Sequence, residues 1–133
     1  MSDDVRTYAP AAGQNYGGNE GLIVYLSDAG IVTLQTDPAI ATGKIPLGVI
    51  EWAENATNGA VGVRVSGIGR VRTGAAIVYG TDNPIVMANG SSRAIKATDT
   101  NFAVGMLTGD CASDAANGDY HQILVRPAPY RTA

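Results

Sequence analysis

The stretch from Val61 to Arg72 alternates between apolar and polar positions with a period of two residues. The apolar side carries Val61, Val63, Val65 and Val71, and the other side carries Arg64, Arg70 and Arg72. Successive side chains of a β-strand point to opposite sides, whereas a helix would need a period of 3.6 residues. The pattern therefore predicts a strand with one buried side, as in the wall of a β-sandwich or barrel.

The rest of the chain repeats this arrangement of short apolar runs separated by glycine turns. Ser27 to Gly30 and the dipeptide Asn89-Gly90 are typical of hairpin turns. We therefore predict an all-β protein, a small β-sandwich or barrel of short antiparallel strands with an extended N-terminal arm. The predicted strands cover residues 22–26, 31–35, 45–52, 61–72, 75–79, 85–88, 93–97, 102–107 and 120–125.

Three segments follow from this pattern. Residues 1–21 are polar, rich in glycine and without either period, which predicts a flexible N-terminal arm outside the core. Residues 22–126 form a single β domain. Because proline donates no hydrogen bond to a sheet, Pro127 and Pro129 indicate that residues 127–133 are a C-terminal tail.

One internal similarity links the two halves of the chain. Residues 45–50, followed by a loop ending in Asn58-Gly59 and a strand containing Val63-Arg64, resemble residues 102–107, a loop ending in Asn117-Gly118 and a strand containing Val125-Arg126. Two interpretations stay open. The halves are related strand-loop-strand units, or the likeness comes from common turn chemistry.

Composition and charge exclude several classes of function. The net charge of −3 lacks the basic surplus that general binding to nucleic acid requires, so we expect no nucleic-acid partner. The first residues carry acids where a signal peptide has basic residues, and no apolar run is long enough to span a bilayer. We therefore expect a protein made in a cytoplasm, without a membrane partner.

Residues capable of catalysis or metal binding are sparse. His121 and Cys111 cannot supply the paired ligands of a zinc site, and we expect a partly exposed strand histidine and an inert loop thiol. Asp110, Asp114 and Asp119 do not match the spacing of an EF-hand loop. We predict no catalytic, cofactor-binding or metal-binding residue and no enzymatic activity. An enzyme working through Cys111 and His121 is the weakest hypothesis.

The three arginines of the predicted strand have two interpretations. They form an ordinary solvated surface, or they form a contact patch for an acidic partner. Glu51 and Glu54 flank Trp52, which would fit an acid pair beside a sugar platform. A strand that leaves the core into a solvated loop explains them equally well and is the commoner case.

The order of features from Leu47 onward resembles a known family. The residues that carry the likeness are Leu47-Gly48-Val49, Val63 to Gly67, Gly74 to Gly80, Asn89-Gly90, Ala103 to Leu107, Gly118 and Ile123 to Val125. In these features the chain is similar to the head-decoration, or capsid cement, proteins of tailed bacteriophages. It departs from them in the glycine-rich N-terminal segment and in the tail that contains Pro127 and Pro129.

The resemblance implies a structural virion protein. It would form a homotrimer on the capsid exterior and stabilise the shell by bridging copies of the major capsid protein. We expect the partner contacts to come from the arm and the arginine strand, through Arg6, Tyr8, Tyr16, Arg64, Arg70 and Arg72. The alternative is a small carbohydrate-binding β-sandwich that stacks sugars on Trp52, Tyr79 and Tyr120.

Overall fold

The computed structural model of the chain describes residues 4–109 and 118–131. These residues contain nine β-strands and one short 3-10 helix, Ile40–Thr42, so the prediction of an all-β fold is confirmed. No helix in this part of the chain has the length and apolar character needed to cross a bilayer. The strands are β1 Asp4–Pro10, β2 Ile23–Asp28, β3 Ile31–Leu34, β4 Pro46–Ala53, β5 Val61–Arg72, β6 Ile85–Ala88, β7 Ala94–Lys96, β8 Asn101–Leu107 and β9 Tyr120–Tyr130.

Strand β5 changes partners at its middle, and this change divides the fold into two rings. Its first half, up to Ser66, pairs with β4 and β1, and its second half, from Gly67, pairs with β9. Gly67 has a φ of 83°. Only glycine adopts this conformation without strain, so Gly67 lets one continuous strand serve both rings.

The first ring closes through the order β1-β3-β2-β4-β5 and back to β1. The pairing of β1 with β3 is parallel, and the others are antiparallel. The second ring runs through the second half of β5, then β9, β8, β6 and β7. A parallel bridge between Thr73 and Ala94 closes it. Each ring leaves few strand edges exposed.

The two rings have the same topology. In the first ring, β1 pairs parallel with β3 and antiparallel with β5, and β2 pairs with β3 and β4. In the second ring, the end of β5 pairs parallel with β7 and antiparallel with β9, and β6 pairs with β7 and β8. The registers also correspond. In the first ring Val49 lies opposite Arg64 and Ile50 opposite Val63. In the same way, in the second ring Met106 lies opposite Leu124 and Leu107 opposite Ile123. The repeated pairing favours the interpretation that the halves are related units. It aligns Val63 with Ile123, two residues from the alignment that the sequence indicated.

Each ring encloses its own apolar core. The first contains Tyr16, Val24, Val32, Ile50, Val61 and Val63. The second is larger and contains Val71, Ile77, Val86, Ala88, Ala94, Val104, Leu107, Ile123 and Val125, together with Ile23 and Val49 from the first ring. The two rings are therefore packed on each other through Ile23 and Val49.

The N-terminal segment differs from its prediction as a flexible arm outside the core. From Asp4 to Pro10 it forms β1, which closes the first ring, and Tyr16 is only 3% exposed inside that ring. Strand β1 is too polar to show an apolar period. It is held by backbone pairing and by Tyr8, which packs against the core.

The C-terminal segment also differs, because β9 continues through Pro127 and Pro129 to Tyr130. Phe102 lies opposite Pro129, yet its amide donates to the carbonyl of Pro38, 2.7 Å away. That pair therefore does not need a donor from Pro129. The predicted strand at residues 75–79 is absent: Ile77 makes an isolated bridge and contributes its side chain to the core, but no strand forms between Thr73 and Ile85.

Candidate functional site

A polar cleft lies where the two rings meet, and it contains two of the three arginines singled out in the sequence. Its volume is about 150 Å³. Residues from β4, β5 and β9 line it, together with the segment that precedes β2. The lining residues are Glu20, Gly21, Val49, Ile50, Glu51, Arg64, Arg70 and Tyr120.

Arg64 is anchored at the wall of this cleft. Its Nη2 and Nε atoms donate to Oε1 of Glu51 at 2.5 and 3.1 Å, and its side chain is 12% exposed. The aliphatic stem lies over Gly69, where an added Cβ would come 3.0 Å from Cδ of Arg64. The bend at Gly67 and the missing side chain at Gly69 together allow Arg64 to fold back along its own strand.

Arg70 and Arg72 stack on one aromatic ring. The guanidinium carbons lie 5.5 Å and 4.8 Å from the ring centroid of Tyr120, within the range of cation–π attraction. Arg72 also donates from Nη2 to the Tyr120 hydroxyl. Gly21 makes room for this group, because a Cβ there would lie 2.8 Å from the ring.

The cleft holds charged groups that are not neutralised within the described chain. The guanidinium of Arg70 makes neither a hydrogen bond nor an ion pair with the described residues, and the same holds for the carboxylate of Glu20. Arg70 and Arg72 share Tyr120, so their like charges repel. A carboxylate from outside would relieve this repulsion, since a guanidinium presents donors in a planar fork that fits a carboxylate.

The three remaining predicted contact residues belong to the N-terminal segment. Arg6 is exposed and its Nε donates to Asp4 at 2.8 Å. Tyr8 is half-buried against the first core. Tyr16 is not available to a partner because it lies inside the first ring, and burial, the largest influence, raises the pKa of its hydroxyl above 10.0. This corrects the expectation that Tyr16 contacts another protein.

The three aromatic side chains of the carbohydrate hypothesis lie apart. Tyr120 lines the cleft under the arginines, and Tyr79 lines a different depression with Asp82 and Leu107. Trp52 lies across Gly62, where a Cβ would come 2.1 Å from Nε1 of the indole. The structure does not assemble them into one stacking platform.

The flanking acids of Trp52 also have separate partners. Glu51 binds Arg64, and Glu54 accepts a hydrogen bond from the amide of Ala60 at 3.3 Å. The local structure therefore fits a strand that leaves the core into a solvated loop.

His121 differs from its prediction as a partly exposed residue. It is 3% exposed, and its Nδ1 lies 3.1 Å from the hydroxyl of Tyr79. Cys111, Asp110 and Asp114 lie outside the described residues. Within residues 4–109 and 118–131, no cluster of three or more histidine, cysteine or acidic residues could hold a metal ion.

An apolar groove on the outer surface of the second ring was not predicted from the sequence. It has a volume of about 250 Å³, and Met106, 40% exposed, lies in it. A signal was present in β8, whose sequence Phe102 to Leu107 is apolar on both sides of the strand. A strand with a solvated outer side would alternate instead.

Comparison with known proteins shows a likeness in fold but no match in sequence. No family model matches the chain, and no curated protein matches it. Among solved structures, the fold is similar to the crystal structure of head fiber gp8.5 N base in bacteriophage phi29. The TM-score is 0.58 at 12% identity, and the match covers 94% of this chain and 95% of that chain. At this identity the likeness shows a shared fold.

Proposed function

We propose that the chain is a structural virion protein of a bacteriophage. It binds the outer surface of the capsid as a homotrimer, stabilises the shell by bridging major capsid proteins, and performs no catalysis. The observation that carries the proposal is the shared fold with a phage head fiber base over nearly the whole of both chains. The trimer and the bridging of shell proteins are what the sequence resemblance to capsid cement proteins implies.

The cleft gives this proposal a contact surface. Arg70 and Arg72 stand on Tyr120 without a carboxylate partner among the described residues, so an acidic side chain of a shell protein would complete the group. Arg64 is already bound to Glu51 and acts as part of the wall. Contacts of this kind favour specificity and fast association.

The proposal is tested on particles of the phage that encodes the chain. Mass spectrometry of purified virions should detect the protein, and the purified protein should co-sediment with shells that lack it. Virions without the protein, or shells that do not bind it, would contradict the proposal.

A matched pair of variants tests the cleft. Arg70→Glu should weaken shell binding by at least about tenfold, as expected when an interfacial charge pair is reversed. Arg131→Glu makes the same change of charge at an exposed position outside the cleft and should bind as the wild type does. Equal binding by both variants would exclude the cleft as the contact. Deleting residues 2–20 is a poor test, since it removes β1 and Tyr16 from the fold.

A further inference from the structure

Four apolar side chains form a row across the outer surface of the second ring. Ile68 lies opposite Leu124, Leu124 opposite Met106, and Met106 opposite Ile85. Ile68 and Met106 are 37% and 40% exposed. We call these four residues the apolar row. Three of them line the groove of about 250 Å³ described above.

The equivalent row of the first ring is partly covered by protein. By register it consists of Val5, Arg64, Val49 and Ile23. Val49 and Ile23 are 1% and 0% exposed because they enter the core of the second ring. The same surface is thus an interface in one half of the chain and uncovered in the other.

One end of the second ring, the end that includes Arg72 and Ser92, is already covered by the segment of the same chain around Gly21 and Ile23. The amide of Arg72 donates to the carbonyl of Gly21, and the amide of Ile23 donates to the carbonyl of Ser92, both at 2.8 Å. In a second copy this end is covered in the same way, so it cannot cover the apolar row. The equivalent end of the second copy's first ring is free of such a covering segment and is the surface that could do so.

That end of the first ring exposes a matching apolar residue. Leu26, opposite Val32, is equivalent to Ala88, opposite Ala94. Ala88 is 1% exposed in the core that Ile23 enters, whereas Leu26 is 47% exposed. There the amide of Ala9 bonds directly to the carbonyl of Gly30 at 2.9 Å. A second copy would therefore lie against this end and would not insert between its strands.

The charges around the two surfaces are complementary. Arg126 is exposed at the edge of the groove, and Asp28 is exposed two residues after Leu26. Neither side chain makes an ion pair with the described part of the chain. Opposite charges at the rim of an interface set its orientation more than its affinity.

We propose that the groove binds the first ring of a second copy of this chain, head to tail, with Met106 against Leu26 and Arg126 beside Asp28. Such a contact joins two different surfaces, so repeating it closes a ring of subunits when the rotation permits. The contact itself rests on the repeated fold. Only its closure into a trimer on a shell rests on the proposed function.

The mass of the protein in solution, without shells, tests the contact. Wild-type protein should sediment as an oligomer, and Met106→Lys should lower the mass to that of the 13.6 kDa chain. Val78→Lys, at a position 42% exposed outside the groove, should keep the wild-type mass. Circular dichroism checks that both variants are folded. A wild type that is monomeric at every concentration, or a Met106→Lys variant of unchanged mass, would overturn the proposal.

A charge exchange tests the orientation. Arg126→Asp and Asp28→Arg should each weaken association, and the double variant should restore at least half of the wild-type oligomer. A photo-cross-linker at position 106 should label a peptide containing Leu26 from another copy. Labelling around position 106 of the other copy would indicate a two-fold contact, and labelling of a shell protein alone would identify a different occupant. Either result would overturn the inference while leaving shell binding, measured by co-sedimentation, as a separate question.

Discussion

The two rings have the same strand pairing but differ at equivalent surface positions. In the first ring Val49 is buried against the core of the second ring, and Arg64 is bound to Glu51 beside a polar cleft. In the second ring the same two positions are Met106 and Leu124, which line an apolar groove. One topology therefore supports a charged surface in one half and an apolar surface in the other.

This difference shows which positions of a repeated fold are free to differ between its two halves. The inward positions are interchangeable in character, since Ile50 and Leu107 are both almost fully buried. The outward positions depend on what covers them. An apolar side chain at such a position is ordinary core where a second ring packs on it, and a candidate contact where nothing in the described chain does.

The largest effect is expected from removing equivalent core side chains. Ile50→Ala and Leu107→Ala should each lower the free energy of unfolding by about 2–5 kcal/mol, because each leaves a cavity in a closely packed ring. Urea denaturation measures both, and Val78→Ala, at an exposed position outside the apolar groove, is the control. A large loss in only one ring would mean that the two cores do not contribute alike.

A smaller loss is expected at two equivalent glycines. A Cβ at Gly48 would lie 1.9 Å from the carbonyl oxygen of Arg64, and one at Gly105 would lie 2.1 Å from that of Leu124. Gly48→Ala and Gly105→Ala should each cost about 1–3 kcal/mol because the paired strands must move apart. Gly90→Ala meets open space and should change the unfolding midpoint little. Similar losses for all three would show that the strands do not approach this closely.

The first ring should set the alkaline limit of stability. Burial raises the pKa of Tyr16 above 10.0, so the unfolded chain loses this proton at a lower pH than the folded chain does. The stabilisation is therefore complete below pH 10 and is lost as the pH rises through the folded pKa. As the pH rises above 9, the midpoint temperature of unfolding should fall less steeply for Tyr16→Phe than for the wild type. Identical slopes would indicate that Tyr16 is not buried.

The second ring should contribute the smallest effect, at acid pH. The carboxylate of Asp82 accepts the amide of Val78 at 2.8 Å and the Lys96 ammonium at 3.2 Å, which lowers its pKa below 3.8. Its contribution is present above this pH and is lost as the pH falls through the folded pKa. Asp82→Asn should therefore flatten the acid branch of the stability curve. An acid branch that is unchanged in this variant would contradict the assignment.

Local patterns in the sequence predicted most strands, and long-range pairing explains what they missed. The alternation in β5 and the turn at Asn89-Gly90 depend on neighbouring residues, and both appear as expected. Strand β1 is polar and gains its structure from β5, which lies far away in the sequence: Arg6 pairs with Val63, 57 residues later. Its inclusion in a ring follows from contacts that no local period records.

The candidate site divides in the same way. Alternation predicted that Arg64, Arg70 and Arg72 share one side of a strand, and all three lie around the cleft or on Tyr120. The pairing of Arg64 with Glu51 and the stacking on Tyr120 depend on which strands flank β5. The groove around Met106 depends on the pairing of β8 with β6 and β9, which no local period records.

The most direct test of the difference between the rings is the reactivity of a thiol at two equivalent positions. In a Cys111→Ser background, Met106→Cys and Val49→Cys are treated with a thiol reagent at a dilution where the chain is monomeric. We predict rapid labelling at position 106 and labelling at least about a thousandfold slower at position 49, where the core must open first. Equal rates at the two positions would contradict this difference between the rings.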